Sequence, residues 1–174
     1  ISLRGQQNLK SISMDIAGDS SSAVFFVAIC LMIKGSKLII KRINLNKFRI
    51  GYIRCLKSMG ANIKFKNVKK KFGEPVGDII CKGSKLRPIN LPKREVISTL
   101  DEIPILMTIA SMIPGCSSFN NIEAIRGKET DRIKKMSENL KAFGIRTIVT
   151  KNSMKIYGKK PQIFSKKKIK IKRT

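Results

Sequence analysis

Carboxylates are scarce in this chain, so the positions of the few carry most of the chemical information. There are 11 Asp and Glu, and five of them (Asp101, Glu102, Glu123, Glu129 and Asp131) fall within one stretch of about thirty residues. That stretch contains the run Arg126-Gly127-Lys128-Glu129-Thr130-Asp131-Arg132. Glu129 stands between two cations, a placement suited to proton transfer. Lys128 and Arg132 are four apart and share a face if a helix begins early enough. One Lys, one Arg and the free N–H groups of a helix start suit a phosphate or carboxylate ligand. Plainer readings stand beside these. The run also reads as a solvated charge cluster. Asp101 and Asp131 each read as a carboxylate at a helix start, where the macrodipole favours it. Gly18-Asp19-Ser20-Ser21-Ser22 is a second anion-ready helix start, or simple capping.

The chain has no His, so mechanisms that need an imidazole are excluded within it. Acid–base chemistry must come from carboxylates, Lys, Tyr or Cys. The cysteines, Cys30, Cys55, Cys81 and Cys116, form no C-x-x-C pair and have no His to complete a metal site. Cys30 and Cys55 read as small core residues in a reducing cytosol. The formal charge of +26 invites a nucleic-acid partner. However, 27 Lys, 28 Ile and 10 Asn make up 65 of the 174 residues, and all three have AT-rich codons. Much of the charge therefore follows base composition. Aromatics are sparse, Trp is absent and no nucleic-acid motif appears, so the basic binding module remains an alternative without a motif.

The elements that must position these residues follow from periodicity. Residues 1–16 alternate and predict one or two short strands. An apolar helix is expected from about Ser21 to Ile33, apolar all round and therefore buried on all sides. Ser36 to Ile43 reads as a strand, Phe48 to Met59 as an amphipathic helix, and Ala61 to Lys66 and Val76 to Lys82 as strands. Lys69-Lys70-Lys71 reads as a charged loop. Residues 83–99 read as loop and edge, punctuated by Pro88 and Pro92. A second set follows: helix Asp101 to Ile113, strand Ser117 to Ile122, helix Thr130 to Phe143, and strands Arg146 to Thr150 and Met154 to Tyr157. Ile33-Lys34-Gly35 matches Ile113-Pro114-Gly115, and Met59-Gly60-Ala61 matches Phe143-Gly144-Ile145, at offsets of about 80 residues. Two copies of one α/β unit are implied, spanning about 10–82 and 100–158. Residues 159–174 form either a basic edge strand or a tail left by truncation. The longest apolar run, Ala23 to Ile33, is too short for a bilayer span of about 20 residues, so no membrane partner is expected. The chain begins at Ile1 with no export signal, which points to a piece of a longer protein.

Several strings together resemble one family. They are Gly18-Asp19-Ser20-Ser21-Ser22-Ala23, Asn46 with Arg49, Met59-Gly60-Ala61-Asn62-Ile63, Gly73-Glu74-Pro75 with Asp78-Ile79, Leu100-Asp101-Glu102-Ile103-Pro104-Ile105-Leu106 and Arg126-x-Lys128-Glu129-Thr130-Asp131-Arg132-Ile133. The chain resembles the 5-enolpyruvylshikimate-3-phosphate synthases (3-phosphoshikimate 1-carboxyvinyltransferases) along nearly its whole length to about residue 158. The last two strings separate them from the sister transferase acting on UDP-N-acetylglucosamine, which is kept as an alternative. The Asp-Glu-x-Pro-Ile-Leu wording looks most like the bacterial class with low glyphosate sensitivity. Departures from the family pattern are Ala17 for Pro, Lys47-Phe48 for Pro-Thr, Ala124 for an Asn of some members and Gly127 for a branched Val.

The resemblance implies an inside-out α/β barrel of repeated β-α-β-α-β-β units, of which 1–158 supply about two, as part of the second domain. It implies transfer of the enolpyruvyl group of phosphoenolpyruvate to the 5-hydroxyl of shikimate 3-phosphate, releasing phosphate, without metal or organic cofactor. The expected enzyme is a cytoplasmic monomer, and this chain alone is expected to be inactive. Carried over residue by residue, Asp101 matches the proton acceptor at the shikimate hydroxyl and Glu129 the second acid–base residue, at the phosphoenolpyruvate methylene. Lys128 matches the Lys near the shikimate phosphate, and Arg132 the Arg that pairs with phosphoenolpyruvate.

Overall fold

The computed structural model describes residues 2, 4–8 and 10–160. The chain runs α1 (Ser20–Met32), β1 (Lys37–Asn44), α2 (Gly51–Ser58), β2 (Asn62–Lys71) and β3 (Glu74–Lys82). Two 3-10 turns, Lys93–Glu95 and Ile97–Thr99, lead to α3 (Ile103–Ser111) and β4 (Gly115–Asn120). A third turn, Glu123–Ile125, precedes α4 (Arg132–Ala142), β5 (Arg146–Val149) and β6 (Ser153–Gly158). The strands form two antiparallel three-stranded sheets, ordered β1-β3-β2 and β4-β6-β5. Each half therefore repeats the order helix, strand, helix, hairpin. Each half also begins with one parallel bridge, Gly18 to Ile43 in the first and Asn90 to Ser118 in the second. The expected strands in 1–16 are absent among the described residues of that segment. With one sheet edge to join, the chain pairs over a single residue, Gly18 N–H donating to Arg42 O at 2.7 Å.

Asp19 caps α1 by accepting from the Ser21 and Ser22 N–H groups. This satisfies two of the donors that a helix start leaves free. The helix buries Val24, Val27, Ala28 and Leu31, but the expectation of burial on all sides fails. Phe25, Phe26 and Ile29 remain 57, 62 and 59% exposed, because nothing among the described residues covers that face. One core joins α1, α2, α3 and α4 to both sheets through Leu31, Ile53, Leu56, Leu106, Phe119 and Ile133, each at most 1% exposed. Each such aliphatic side chain contributes about 1.5–3 kcal/mol by burial. Cys30, Cys55 and Cys81 are buried and Cys116 is exposed. Burial pushes the Cys55 thiol up to about 11 and the Cys81 thiol up to about 12, which leaves both unreactive.

Lys69-Lys70-Lys71 is not a loop: it pairs with Val76, Pro75 and Glu74 at the end of the β2–β3 hairpin. β2 is an edge strand, and lysines there discourage pairing with another chain. Bulges interrupt β1 between Ile40 and Ile43 and β2 between Lys66 and Lys69. Asp78 on the central strand serves both, accepting from the Arg42 N–H at 3.0 Å and the Asn67 amide at 2.7 Å. Among the described residues no helix is long and apolar enough to cross a membrane. Of the basic segment 159–174, all but Lys159 and Lys160 lies outside the described residues.

Candidate active site

The repeat brings the starts of its helices together. The Ser20 hydroxyl, at the start of α1, donates to Arg49 O just before α2, and the Tyr52 hydroxyl returns a bond to Ser20 O at 3.0 Å. The Ser21 hydroxyl donates to the carboxylate of Glu102, which opens α3. Asp101, one residue earlier, reaches the start of α4: its Oδ1 lies 3.4 Å from Lys128 Nζ and 3.6 Å from an Arg132 guanidinium nitrogen. The other Arg132 nitrogen donates to Glu129 Oε2 at 3.0 Å. Positive helix ends and three basic side chains, Arg49, Lys128 and Arg132, thus surround a small group of carboxylates. A cavity of about 130 Å³ includes Arg49, Asp101, Glu102 and Lys128 in its walls. A cleft of about 460 Å³ continues from it along Phe48, Ile97 and Ser98.

The four residues singled out from the sequence come together here, although not as helical spacing predicts. Asp101 precedes α3 by two residues, in a turn, and Glu102 takes the N-cap position. α4 begins only at Arg132, so Lys128 lies before the helix and shares no face with it. The reason is local. Asp131 caps α4 by accepting from the Lys134 N–H at 3.0 Å, and a capped helix starts after its cap. Lys128 and Arg132 meet through Asp101 instead. The Glu129 side chain is 81% exposed. Its own backbone N–H, then the Arg132 guanidinium, hold its carboxyl below the usual range. Gly127 has no neighbour within 4 Å of where a Cβ would stand, so a side chain there has room.

Arg126 belongs to the same run and has a different task. Its guanidinium donates to Lys151 O and Thr150 O, both at 2.7 Å, and pairs with Asp131. It fastens the 126–131 loop to the β5–β6 turn and so fixes the approach to α4. Sequence reasoning also missed Arg49, Ser21 and Glu102 as members of the group. Arg49 and Ser21 stood in the family-like strings, but nothing local ties them to position 102. Among the described residues no group of three or more Cys, Asp or Glu gathers to hold a metal ion.

Comparisons with known proteins agree with one another. The family model for EPSP synthase (3-phosphoshikimate 1-carboxyvinyltransferase) matches residues 1–170. The 3-phosphoshikimate 1-carboxyvinyltransferase of Persephonella marina is 39% identical over 160 residues, covering 91% of this chain and 37% of the relative. That of Geotalea daltonii is 37% identical over 156 residues, covering 90% and 36%. The solved EPSP synthase of Acinetobacter baumannii superposes with a TM-score of 0.80 at 34% identity, over 84% of this chain and 33% of that one. The enolpyruvyl transferase NikO of Streptomyces tendae, at 13% identity and a TM-score of 0.56, shares the fold. The chain thus spans about a third of the length of these relatives. Its architecture is the inside-out α/β fold of repeated units found in enolpyruvyl transferases. With the family model covering nearly every residue, the chain belongs to the EPSP synthase (3-phosphoshikimate 1-carboxyvinyltransferase) family.

Proposed function

We propose that this chain supplies one wall of the active site of an enzyme that transfers the enolpyruvyl group of phosphoenolpyruvate to the 5-hydroxyl of shikimate 3-phosphate. The observation that carries the reading is the meeting of Asp101, Lys128, Glu129 and Arg132 at two helix starts. Two acids and two cations are what the reaction needs there. Asp101 accepts the proton of the 5-hydroxyl as its oxygen adds to C2 of phosphoenolpyruvate. Glu129 gives a proton to C3, making the methyl group of a tetrahedral intermediate. Elimination then returns a proton from that methyl group to Glu129, and phosphate leaves from C2. Arg132 holds phosphoenolpyruvate through its planar fork, and Lys128 lies by the shikimate phosphate. Arg132 is engaged by Glu129. When an anionic substrate takes up the guanidinium, one cause of the lowered Glu129 pKa is removed, which raises the affinity of the carboxyl for the proton it must donate.

We infer further that 10–82 and 100–158 are two units of one domain that takes a third, and that the enzyme is a cytoplasmic monomer acting on small molecules. Support for the third unit comes from the repeat itself. Phe26 and Ile29 on α1 and Ile33 just after it are exposed, whereas Leu106 and Ile109 on α3 and Ile113 just after it, 80 positions later, are buried. α1 and α3 pack against each other. A head-to-tail contact of this kind leaves one face open at each end until a further unit closes it. The test is a chimera in which residues 10–158 of this chain replace the matching segment of the Persephonella marina relative. It should release phosphate when given both substrates. A folded chimera that releases no phosphate contradicts the reading.

A further inference from the structure

We propose that Glu102 is a positioning residue for this reaction: its carboxyl, pinned across the domain by Ser21, fixes the turn that aims Asp101 at Lys128 and Arg132. The inference rests on the enolpyruvyl-transfer reading of the site. Glu102 is 4% exposed, and a buried carboxyl is costly unless it is bonded and paired. It stands at the N-cap of α3, where a side chain ordinarily accepts an N–H from the first turn of its own helix. Its carboxyl makes no such bond. It accepts instead from the hydroxyl of Ser21, 81 residues away at the start of α1. The Ser21 hydroxyl in turn accepts from Arg49 at 3.4 Å, so one line of bonds ties three helix starts together behind Asp101.

The other side of the turn is equally fixed. Gly51 opens α2 with Ser98 and Thr99 packed so closely that a Cβ there would overlap both. Residues 98–102 are thus clamped between α1 and α2, and Asp101 is the member that faces outward. Glu102 and Asp101 line the same small cavity with Arg49 and Lys128. Burial, reinforced by the neighbouring Asp101 charge, raises the Glu102 carboxyl above its ordinary value, while Ser21 and Arg49 oppose that rise. A group kept at this electrostatic disadvantage is a poor choice for packing alone. A tether that must meet a hydroxyl on another helix gives it a reason.

Two measurements test this, one of which needs no turnover. In the active chimera, Glu102→Ala should lower kcat by about 10²-fold, the scale of a 1 Å misplacement, with both KM values within about threefold. Glu102→Gln keeps an oxygen for Ser21 and should restore kcat to within about threefold. Ser21→Ala should reproduce the loss, and the Ser21→Ala/Glu102→Ala double variant should be no worse than either single one, because both cut the same tether. In the 174-residue chain itself, the Arg132 Nε–H NMR signal should move towards its Asp101→Ala position in Glu102→Ala and Ser21→Ala, and stay in place in Glu102→Gln. Losses that multiply in the double variant overturn the proposal. So does an unmoved Arg132 signal, or a Gln variant as slow as Ala. If Glu102→Ala does not fold, Ser21→Ala and Glu102→Gln decide the matter. If the wild-type chimera is folded but inactive, the transferase reading fails while the NMR comparison still tests the tether.

Discussion

Arg132 and Glu129 hold each other at 3.0 Å, and the proposed reaction needs both released to substrate. Arg132→Lys keeps the charge but loses the fork, and should raise the KM for phosphoenolpyruvate by about tenfold or more in the chimera, read by initial rates. Gly127→Ala fills open space at a position with no left-handed requirement, and should stabilise the fold by about 0.4–1 kcal/mol through the unfolded chain. Glu95 is held below the usual carboxylate range by Arg54, whose Nε donates at 2.8 Å. Its folded pKa lies below its unfolded one. Its contribution is therefore present above the unfolded value and lost as pH falls through the folded value. Thermal melts at falling pH should show Glu95→Gln less stable than wild type at neutrality, with the difference shrinking as the pH drops below the ordinary Glu value. The rarity of acids drew attention to Asp101 and Glu129 in the sequence. Glu102 stayed hidden because what distinguishes it is a partner 81 residues away, and no local pattern reports that.

Each helix–strand repeat was legible because apolar spacing and closing glycines survive in both copies. The details that went astray are those settled by tertiary pairing. β2 extends through Lys69-Lys70-Lys71 because β3 offers partners as far as Glu74, overriding the charge run. The alternation in 10–16 made no strand because a single bridge at Gly18 is all the strand pairing before α1 among the described residues. A further repeat feature left no mark in the hydropathy pattern. Gly83, just after β3, packs on the Ile33 carbonyl behind α1, and Gly158, at the end of β6, packs on the Ala110 and Ile113 carbonyls behind α3. A Cβ at either site would overlap backbone oxygen, which cannot rotate away. Gly83→Ala and Gly158→Ala should each cost about 1–3 kcal/mol, measured by urea unfolding, whereas alanine at the open Gly73-type hairpin turn tests only its left-handed backbone. A destabilisation below half a kilocalorie at both packed sites, on the order of ordinary surface changes, would show that the two sheets slide freely past their helices.

The whole molecule presents an apolar face on α1 that its own repeat covers at α3. Phe25, Phe26 and Ile29 are exposed side by side, a patch of the kind that associates. The chain by itself should therefore self-associate with rising concentration in sedimentation velocity, and Phe26→Lys with Ile29→Lys should suppress that association without lowering stability. The overall charge of +26 shapes this surface less than its size implies. Part of it lines the β2 edge, and its chemically useful part is Lys128, Arg132 and Arg49 at the helix starts. If the four converging side chains are catalytic machinery and not a surface charge cluster, removing either carboxylate must cost turnover. Phosphate release from shikimate 3-phosphate and phosphoenolpyruvate by the chimera, measured for wild type, Asp101→Ala, Glu129→Ala and Asp15→Ala, tests it most directly. Asp15 is a control that pairs with Arg42 and Lys71 away from the site. We predict losses of about 10²-fold or more for the first two variants and an unchanged rate for the third. Wild-type rates in both Asp101→Ala and Glu129→Ala would show the group to be a surface charge cluster.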